Sequence, residues 1–131
     1  MSSDFIVGVV GNPNCGKTTL FNALTGSRQH VGNWPGVTVE KKTGDYRFKQ
    51  QCITVVDLPG TYSLESDDDS VSLDEKVARD YVASREADLI INIIDASNIE
   101  RNLYLSSQLI EMRVPMILVL NMMDAVKKRG I

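Results

Sequence analysis

A chain of 131 residues corresponds to one domain at about 150 residues per domain, which excludes a multidomain enzyme or a complete (β/α)₈ barrel. With 43% hydrophobic and 24% charged residues, the composition is that of a soluble globular chain. The net charge of −3 disfavours unspecific binding to nucleic acid or a membrane surface. The two cysteines lack the spacing of a zinc module and suit a reducing, cytosolic compartment.

Short apolar runs alternate with segments of helical periodicity. In chain order they predict a strand at 5–10, a helix at 17–25, strands at 37–48 and 52–57, a helix at 73–85, a strand at 88–95, a helix at 99–112 and a strand at 115–120. The strands at 37–48 and 52–57 are expected to be antiparallel. None of the apolar runs approaches the roughly 20 residues of a membrane helix. This alternation predicts a doubly wound α/β sheet.

Each predicted helix has one face that is expected to point to the core. These faces carry Leu20, Phe21 and Leu24 in the first helix, Val77, Tyr81 and Val82 in the second, and Leu103, Leu109 and Ile110 in the third. The stretches 27–36 and 61–72 have no periodicity and are long for connections inside a compact domain. They are therefore candidate functional loops.

The segment 11–18 reads Gly-Asn-Pro-Asn-Cys-Gly-Lys-Thr and matches the phosphate-loop pattern G-x-x-x-x-G-K-[ST]. It follows a predicted strand and opens a predicted helix, as the pattern requires. In such a loop backbone N–H groups and the helix N-terminus surround a phosphate, Lys17 reaches the β- and γ-phosphates, and Thr18 offers its hydroxyl to Mg²⁺. The predicted contacts are Gly11, Asn12, Pro13, Asn14, Cys15, Gly16, Lys17, Thr18 and Thr19.

Two further motifs complete a predicted magnesium and γ-phosphate site. Asp57-Leu58-Pro59-Gly60 ends a predicted strand, where the carboxylate can hold Mg²⁺ through water and Gly60 leaves its N–H free for the γ-phosphate. Thr38 lies between the first helix and this motif, in a loop that can fold over the metal. Its neighbours Gly36 and Val37 are included in the predicted nucleotide contacts.

The segment Asn121-Met122-Met123-Asp124 follows the last predicted strand and reads the base. The carboxylate of Asp124 can accept hydrogen bonds from N1–H and the exocyclic amine of guanine, whereas adenine presents an acceptor at N1. Sites that hydrogen-bond a substrate group reject analogues that lack it strongly. Ligands of such sheets bind at the carboxyl ends of the strands, where all these motifs lie. The predicted ligand is GTP or GDP.

Five stretches carry a family resemblance: 11–22, 24–29, 31–40, 57–64 and 95–105. They resemble the N-terminal G domain of the bacterial ferrous iron transport protein B (FeoB) family, within the translation-factor type of P-loop GTPases. The segment Gly-Asn-Trp-Pro-Gly-Val-Thr at 32–38 is specific, because generic GTPases do not share it. The resemblance implies a three-layer doubly wound sheet, mostly parallel with one antiparallel strand. It also implies GTP hydrolysis to GDP and phosphate.

The same resemblance implies a larger protein. A helical domain and a membrane transport domain are expected in cis beyond Ile131, with this segment on the cytoplasmic face of the bacterial inner membrane. No nucleic-acid partner is expected, and oligomerisation through the full-length protein is allowed. The last strand and helix of such a G domain are missing after Ile131, so the sheet is expected to be C-terminally incomplete. The edge of the strand at 115–120 is then expected to be bare.

Three departures from the best-known GTPases predict slow hydrolysis and modest guanine affinity. Thr61 replaces the Gln that orients attacking water in Ras-like proteins. Met122 replaces a Lys in the base-reading motif, and the phosphate loop has no arginine. From the residues alone, a turn residue is the favoured of two interpretations of Asn14, the other being a cation ligand. The resemblance instead implies that Asn14 and backbone carbonyls near Gly32 and Trp34 bind K⁺, which makes Asn14, Lys17, Thr38 and Gly60 the expected catalytic set.

For several residues the sequence leaves two interpretations open. Cys15 is a redox sensor or simply a small residue, His30 a pH switch or solvated, and Asp95 a ligand contact or a helix cap. Arg28 is an arginine finger or a solvated loop residue, and Trp34 contributes its backbone carbonyl to a switch or its indole to a partner. The acidic residues Glu65 and Asp67 to Asp69 are an iron site or a solvated loop. Two rival functions stay open, a ribosome-associated GTPase and a binding-only nucleotide module.

Overall fold

The computed structural model describes residues 5–13, 15–61, 64 and 73–121. Six strands form one sheet in the order β2-β3-β4-β1-β5-β6. The strands are β1 Phe5–Gly11, β2 Gln29–Asn33, β3 Glu40–Phe48, β4 Gln51–Asp57, β5 Leu89–Asp95 and β6 Met116–Asn121. The helices are α1 Lys17–Thr25, α2 Leu73–Ser84 and α3 Ile99–Glu111, with a 3₁₀ turn at Ala96–Asn98.

The sheet is parallel apart from β3, which runs antiparallel to both β2 and β4. The pairs β1–β4, β1–β5 and β5–β6 are parallel. This confirms the predicted doubly wound α/β class with one antiparallel strand. The carboxyl ends of β1, β4, β5 and β6 therefore share one edge of the sheet, which is where ligands bind in this class.

Both faces of the sheet are covered, which makes three layers. On one face Val9, Val55 and Ile93 pack with Phe21 of α1. On the other face Val10, Val56 and Ile90 pack with residues of α2 and α3, including Tyr81, Leu105 and Leu109. Val9 and Val10 point to opposite faces because side chains alternate along a strand.

The strand β2 was not expected, since residues 27–36 were predicted to be a loop. The sequence Gln-His-Val-Gly-Asn has no alternation of apolar and polar residues, and four of its five residues are exposed. Its extended conformation comes from pairing with β3, in which Gln29 lies opposite Gly44 and Asn33 opposite Glu40. An edge strand held by backbone pairing and by the polar contacts of Gln29 with α1 leaves no hydrophobic pattern to detect.

The predicted core face of α3 was partly wrong. Leu109 is buried as expected, but Leu103 is 45% exposed and Ile110 is 62% exposed. The buried stripe consists of Asn102, Leu105, Ser106 and Leu109. Asn102 accepts a hydrogen bond from the Asp95 N–H at 3.0 Å, and Ser106 donates to the buried Asn92 of β5. Satisfied polar residues occupy core positions here, so counting apolar residues selects the wrong stripe.

The other helical faces agree better with expectation. Phe21, Tyr81 and Val82 are buried, and Leu20 and Val77 pack at the margins of the core. At the opposite edge of the sheet from β2, β6 pairs only with β5 among the described residues, and Ile117, Leu118 and Leu120 are at least half exposed. Within the described ranges no helix is long and apolar enough to cross a membrane.

Candidate nucleotide-binding site

The phosphate loop connects the end of β1 to the start of α1 and is shaped by Gly16. This residue has a φ of +93°, in the left-handed region that favours glycine. A Cβ built at Gly16 would lie 1.7 Å from Nδ2 of Asn121, the last residue of β6. That amide donates to the carbonyl of Cys15 at 3.0 Å. Asn121, predicted as a nucleotide contact, therefore holds the loop backbone in this structure.

Lys17 opens α1, and its ammonium contacts the carboxylate of Asp57 at the end of β4. The two side chains are only 12% and 9% exposed. Parallel pairing of β1 and β4 brings the phosphate loop and the Asp57 motif to the same edge of the sheet. The predicted phosphate-binding cation and the predicted magnesium-binding carboxylate are thus neighbours.

The segment after Asp57 runs alongside the phosphate loop. Leu58 N–H donates to the Val9 carbonyl and Thr61 N–H donates to the Gly11 carbonyl, both at 3.0 Å. A Cβ built at Gly60 would lie 3.1 Å from the Cα of Pro13, closer than most real contacts of this kind. Glycine at position 60 therefore allows the two backbones to approach closely.

Two adjoining cavities open beside these residues. One of about 440 Å³ is lined by Pro13, Gly16, Lys17, Thr18, Gly60 and Asp74. The other, of about 290 Å³, includes Lys17, Asp57, Leu58, Pro59 and Asp74 in its lining. Asp74, in the first turn of α2, lines both cavities and was missed from the sequence. Its only signal was its place at the predicted start of the helix that follows the loop at 61–72.

The donor set at this edge fits Mg²⁺. The Thr18 hydroxyl and the Asp57 carboxylate are hard oxygen ligands, which this cation prefers. Thr18 lines the larger cavity, and Asp57 lines the adjoining one. In the described part of the chain, at this edge or any other place, no group of three or more His, Cys, Asp or Glu side chains is placed to hold a metal. The acidic residues at 65–69 lie outside the described residues.

Other predicted residues are not at the cavities. Thr38 is exposed and lines neither of them, and Gly32 lies in the edge strand β2.

Gly36, with a φ of +75°, follows Pro35 in a turn closed by a hydrogen bond of 3.2 Å from Val37 N–H to the Trp34 carbonyl. Pro followed by glycine at positive φ is the signature of a type II turn. Thr19 is exposed, whereas Asn12 is buried behind the loop.

The expected role of Trp34, a switch residue that acts through its backbone carbonyl, stays a prediction, and the structure adds a packing role for its side chain. Its indole is only 7% exposed and packs edge-on against Tyr81 of α2, with 5.4 Å between ring centroids. The carbonyl accepts the turn hydrogen bond from Val37. A large aromatic side chain gains more from burial than from exposure, so a residue placed in a loop by its motif became part of the core.

The structure bears on three residues, Cys15, Asp95 and His30, for which the sequence left two interpretations open. Cys15 is buried, and this burial raises the pKa of its thiol, which disfavours the reactive thiolate and favours the structural interpretation. Asp95 caps the 3₁₀ turn, since its carboxylate accepts from Ser97 N–H at 2.9 Å. His30 is on the exposed edge strand with its Nε2 3.9 Å from a carboxylate oxygen of Asp45. Asn14, Met122 and Asp124 lie outside the described residues.

The fold and the phosphate loop define a P-loop nucleotide-binding domain. Residues 5–131 match the family model described as ferrous iron transport protein B, and the chain belongs to this family. It is 58% identical over 125 residues to the Fe(2+) transporter FeoB of Escherichia coli (strain K12), and 57% identical to that of Shigella flexneri. Each alignment covers 95% of this chain and 16% of the relative, so the chain spans about a sixth of the relatives' length.

Solved structures of relatives agree with the fold. The cytosolic domain of L. pneumophila FeoB matches with a TM-score of 0.90 and 54% identity, covering 95% of this chain and 53% of that one. The G domain of the T. maritima FeoB iron transporter matches with a TM-score of 0.88 and 50% identity, covering 95% and 76%. A GDP-bound mutant of S. thermophilus NFeoB matches with a TM-score of 0.88 and 49% identity, covering 97% and 48%.

Proposed function

We propose that this chain is the GTP-binding and slowly GTP-hydrolysing switch domain of a ferrous iron uptake transporter. Its relatives are named Fe(2+) transporters, and a relative of known structure binds GDP. Those relatives are about six times longer, which supports a helical domain and a membrane transport domain in cis. The domain then faces the cytoplasm at the bacterial inner membrane.

The arrangement of Lys17 and Asp57 carries this proposal. A phosphate chain in the cavity at Gly16 and Thr18 would meet the N-terminus of α1 and the Lys17 ammonium. Before the phosphate arrives, Asp57 balances the charge of Lys17. When the Lys17 ammonium contacts the phosphate in place of Asp57, the Asp57 carboxylate becomes available to hold Mg²⁺ together with the Thr18 hydroxyl. Mg²⁺ held by these two residues would supply charge neutralisation during phosphoryl transfer.

The proposed selection of guanine over adenine depends on Asp124. A carboxylate there accepts two hydrogen bonds from guanine and repels the N1 acceptor of adenine. The Asp124→Asn variant should lose affinity for GTP and gain affinity for a xanthine nucleotide, whose 2-oxo group accepts a bond from the new amide. Competition between GTP, ATP and XTP measures this choice. Equal competition by ATP and GTP with the native protein would contradict the assignment of guanine.

Hydrolysis requires a rearrangement of the turn at Trp34. In this structure Thr38 lines neither phosphate cavity, and the Trp34 carbonyl accepts a hydrogen bond from Val37 within the turn. We propose that GTP binding draws this turn toward the phosphate loop, where Thr38 joins the magnesium ligands. Such loops order around a γ-phosphate and are released after hydrolysis. Gly60, next to Pro13, then offers its N–H to the same phosphate.

A monovalent cation is proposed to replace the missing arginine. The Asn14 side chain and carbonyls near Gly32 and Trp34 would hold K⁺, which would supply positive charge at the reacting phosphates. Loss of one such contact typically costs about 10²–10³ in rate, and a loosely held cation is expected to contribute on the order of tenfold.

The test is GTP turnover in K⁺ and in Na⁺, by the native full-length protein and by its Asn14→Ala variant. The native protein should turn over on the order of tenfold faster in K⁺. The variant should show the same low rate in both salts. Equal native rates in both salts, or full stimulation of the variant, would refute the role of potassium. Absence of any GTP turnover would instead favour a binding-only module.

A further inference from the structure

The contact between Trp34 and Tyr81 joins the turn after β2 to helix α2. The indole packs edge-on against the phenol ring, with 5.4 Å between the ring centroids, and both residues belong to the core on that face of the sheet. The Lys41 ammonium lies 4.6 Å from the centroid of the Trp34 ring. Edge-on aromatic pairs and cation–π contacts are both attractive. These contacts therefore hold the turn against α2.

The same contact includes two buried polar atoms that have no hydrogen-bond partner. They are Nε1 of Trp34 and the hydroxyl of Tyr81, in residues that are only 7% and 6% exposed. A buried indole N–H or phenol O–H usually has a partner, because an unpaired buried donor has lost its hydrogen bond to water without compensation. Burial raises the pKa of Tyr81, with smaller contributions from Glu86 and Asp88, so its hydroxyl stays protonated. The docked turn therefore carries an energetic cost that a released turn would not have.

The packing around this contact is also incomplete. A cavity of about 470 Å³ lies between the turn and α2, and Trp34, Val37, Val77 and Tyr81 are among the residues that line it. The two unpaired polar atoms are buried and are not exposed in this cavity. Atoms that border a cavity lack the contacts that a close-packed core would give them. Less apolar contact therefore opposes the release of the indole than in a filled core.

We propose that Tyr81 is a positioning residue that, through Trp34, makes the turn at residues 34–37 easy to release from α2. When the turn leaves, the Tyr81 hydroxyl and the indole N–H become hydrated, and this gain offsets part of the aromatic contact that is lost. Thr38 follows the turn directly, so release frees it to approach the γ-phosphate. This last step rests on the proposed function. The release itself does not, so it is measured without nucleotide.

The test follows the indole N–H of Trp34 by nuclear magnetic resonance, where the single tryptophan of the chain gives a single indole signal. Because Nε1 is buried, exchange of this hydrogen with solvent requires release of the turn. The 131-residue chain is used, with its secondary structure checked by circular dichroism. Tyr81→Phe keeps the ring and removes the unpaired hydroxyl. Exchange should become about tenfold slower, and the urea midpoint of unfolding should rise.

The matched control is Tyr46→Phe, which makes the same change at a partly buried tyrosine on the opposite face of the sheet. It should alter neither the exchange of the Trp34 indole nor its response to urea by a comparable amount. Unchanged or faster exchange in Tyr81→Phe, or a lower urea midpoint, would show that the hydroxyl stabilises the docked turn. Either result would overturn the proposal.

A second variant should act in the opposite direction. Lys41→Met keeps a long side chain and removes the ammonium over the Trp34 ring, so exchange of the indole N–H should become about threefold faster. Lys49→Met is its control, because the Lys49 ammonium lies 5.4 Å from the ring of Phe48 instead. Exchange in Lys41→Met that is no faster than in this control would mean that the contacts of Trp34 do not set the release. That result would also overturn the proposal.

GTP turnover by the full-length protein separates this inference from the proposed function. Tyr81→Phe should hydrolyse GTP up to about tenfold more slowly, because a smaller fraction of molecules has a released turn. GDP affinity should stay unchanged and the fold should be more stable, a combination that a merely structural role would not give. Native turnover in a variant with slowed exchange would refute the link from release to hydrolysis. A native protein without GTP turnover would contradict the proposed function, while the exchange rates would still decide the role of Tyr81 in the release.

Discussion

The phosphate loop and the turn at residues 34–37 are held in different ways, although both belong to the proposed nucleotide site. The loop is fixed by backbone geometry and by hydrogen bonds from Asn121, at the end of β6, and from Thr61, in the segment after β4. The turn is attached to the rest of the molecule by the indole of Trp34 and by backbone pairing at its base. The side chains of Val37 and Val39 pack against the same core as Trp34. A preformed loop beside a turn held by a few side chains suits the proposed nucleotide-dependent switch, in which only the turn would move.

The largest expected effect is at Gly16. Gly16→Ala puts a Cβ onto Asn121 in a backbone conformation unfavourable for alanine, and should lower the free energy of unfolding by about 3–4 kcal/mol. It should also abolish nucleotide binding. Gly36→Ala is the matched control, since Gly36 has a φ of +75° in a type II turn but no heavy atom within 4 Å of the added Cβ. That control should lose only about 1–2 kcal/mol in urea unfolding. Equal losses would mean that the contact with Asn121 is unimportant.

An intermediate effect is expected at Trp34. Trp34→Ala should cost about 2–3 kcal/mol, below the usual cost for a buried aromatic residue, because it also removes an unpaired N–H. Phe48→Ala, at a half-exposed aromatic residue of β3, should cost less than about 1 kcal/mol. GDP affinity, measured by calorimetry, should stay nearly unchanged in Trp34→Ala. A parallel collapse of GDP affinity would show that the loop and the turn are not independent.

The smallest effect on folding is expected at Thr38. Because this side chain is exposed, Thr38→Ala should change the unfolding free energy by less than about 0.5 kcal/mol. GDP affinity should also be retained, whereas GTP hydrolysis should fall at least tenfold through loss of a magnesium ligand. Stopped-flow measurement of phosphate release compares the variant with the native protein. Loss of GDP binding together with hydrolysis would make Thr38 part of the preformed site instead.

The sequence predicted the preformed part of the site better than the movable part. Gly16, Lys17, Asp57 and Gly60 line the two adjoining cavities because strand ends and helix starts leave strong local patterns, and parallel pairing then brings them together. Their contacts with a nucleotide stay a prediction. The position of Trp34 depends on a contact with Tyr81, 47 positions further along the chain, and no local pattern predicts it. The strand β2 and the buried stripe of α3 were missed for the same reason, since pairing with β3 and polar contacts with β5 decide them.

The hydrogen bond from Asn121 to the phosphate loop has a consequence for the selection of nucleotides. Asn121 is also the first residue of the segment that is proposed to bind guanine. Its side-chain amide therefore connects the phosphate loop to the proposed base-binding segment. A substitution at this position is expected to weaken binding of the phosphates and of the base together. Affinity and base discrimination are therefore expected to change together in variants of Asn121, and selection on one property would alter the other.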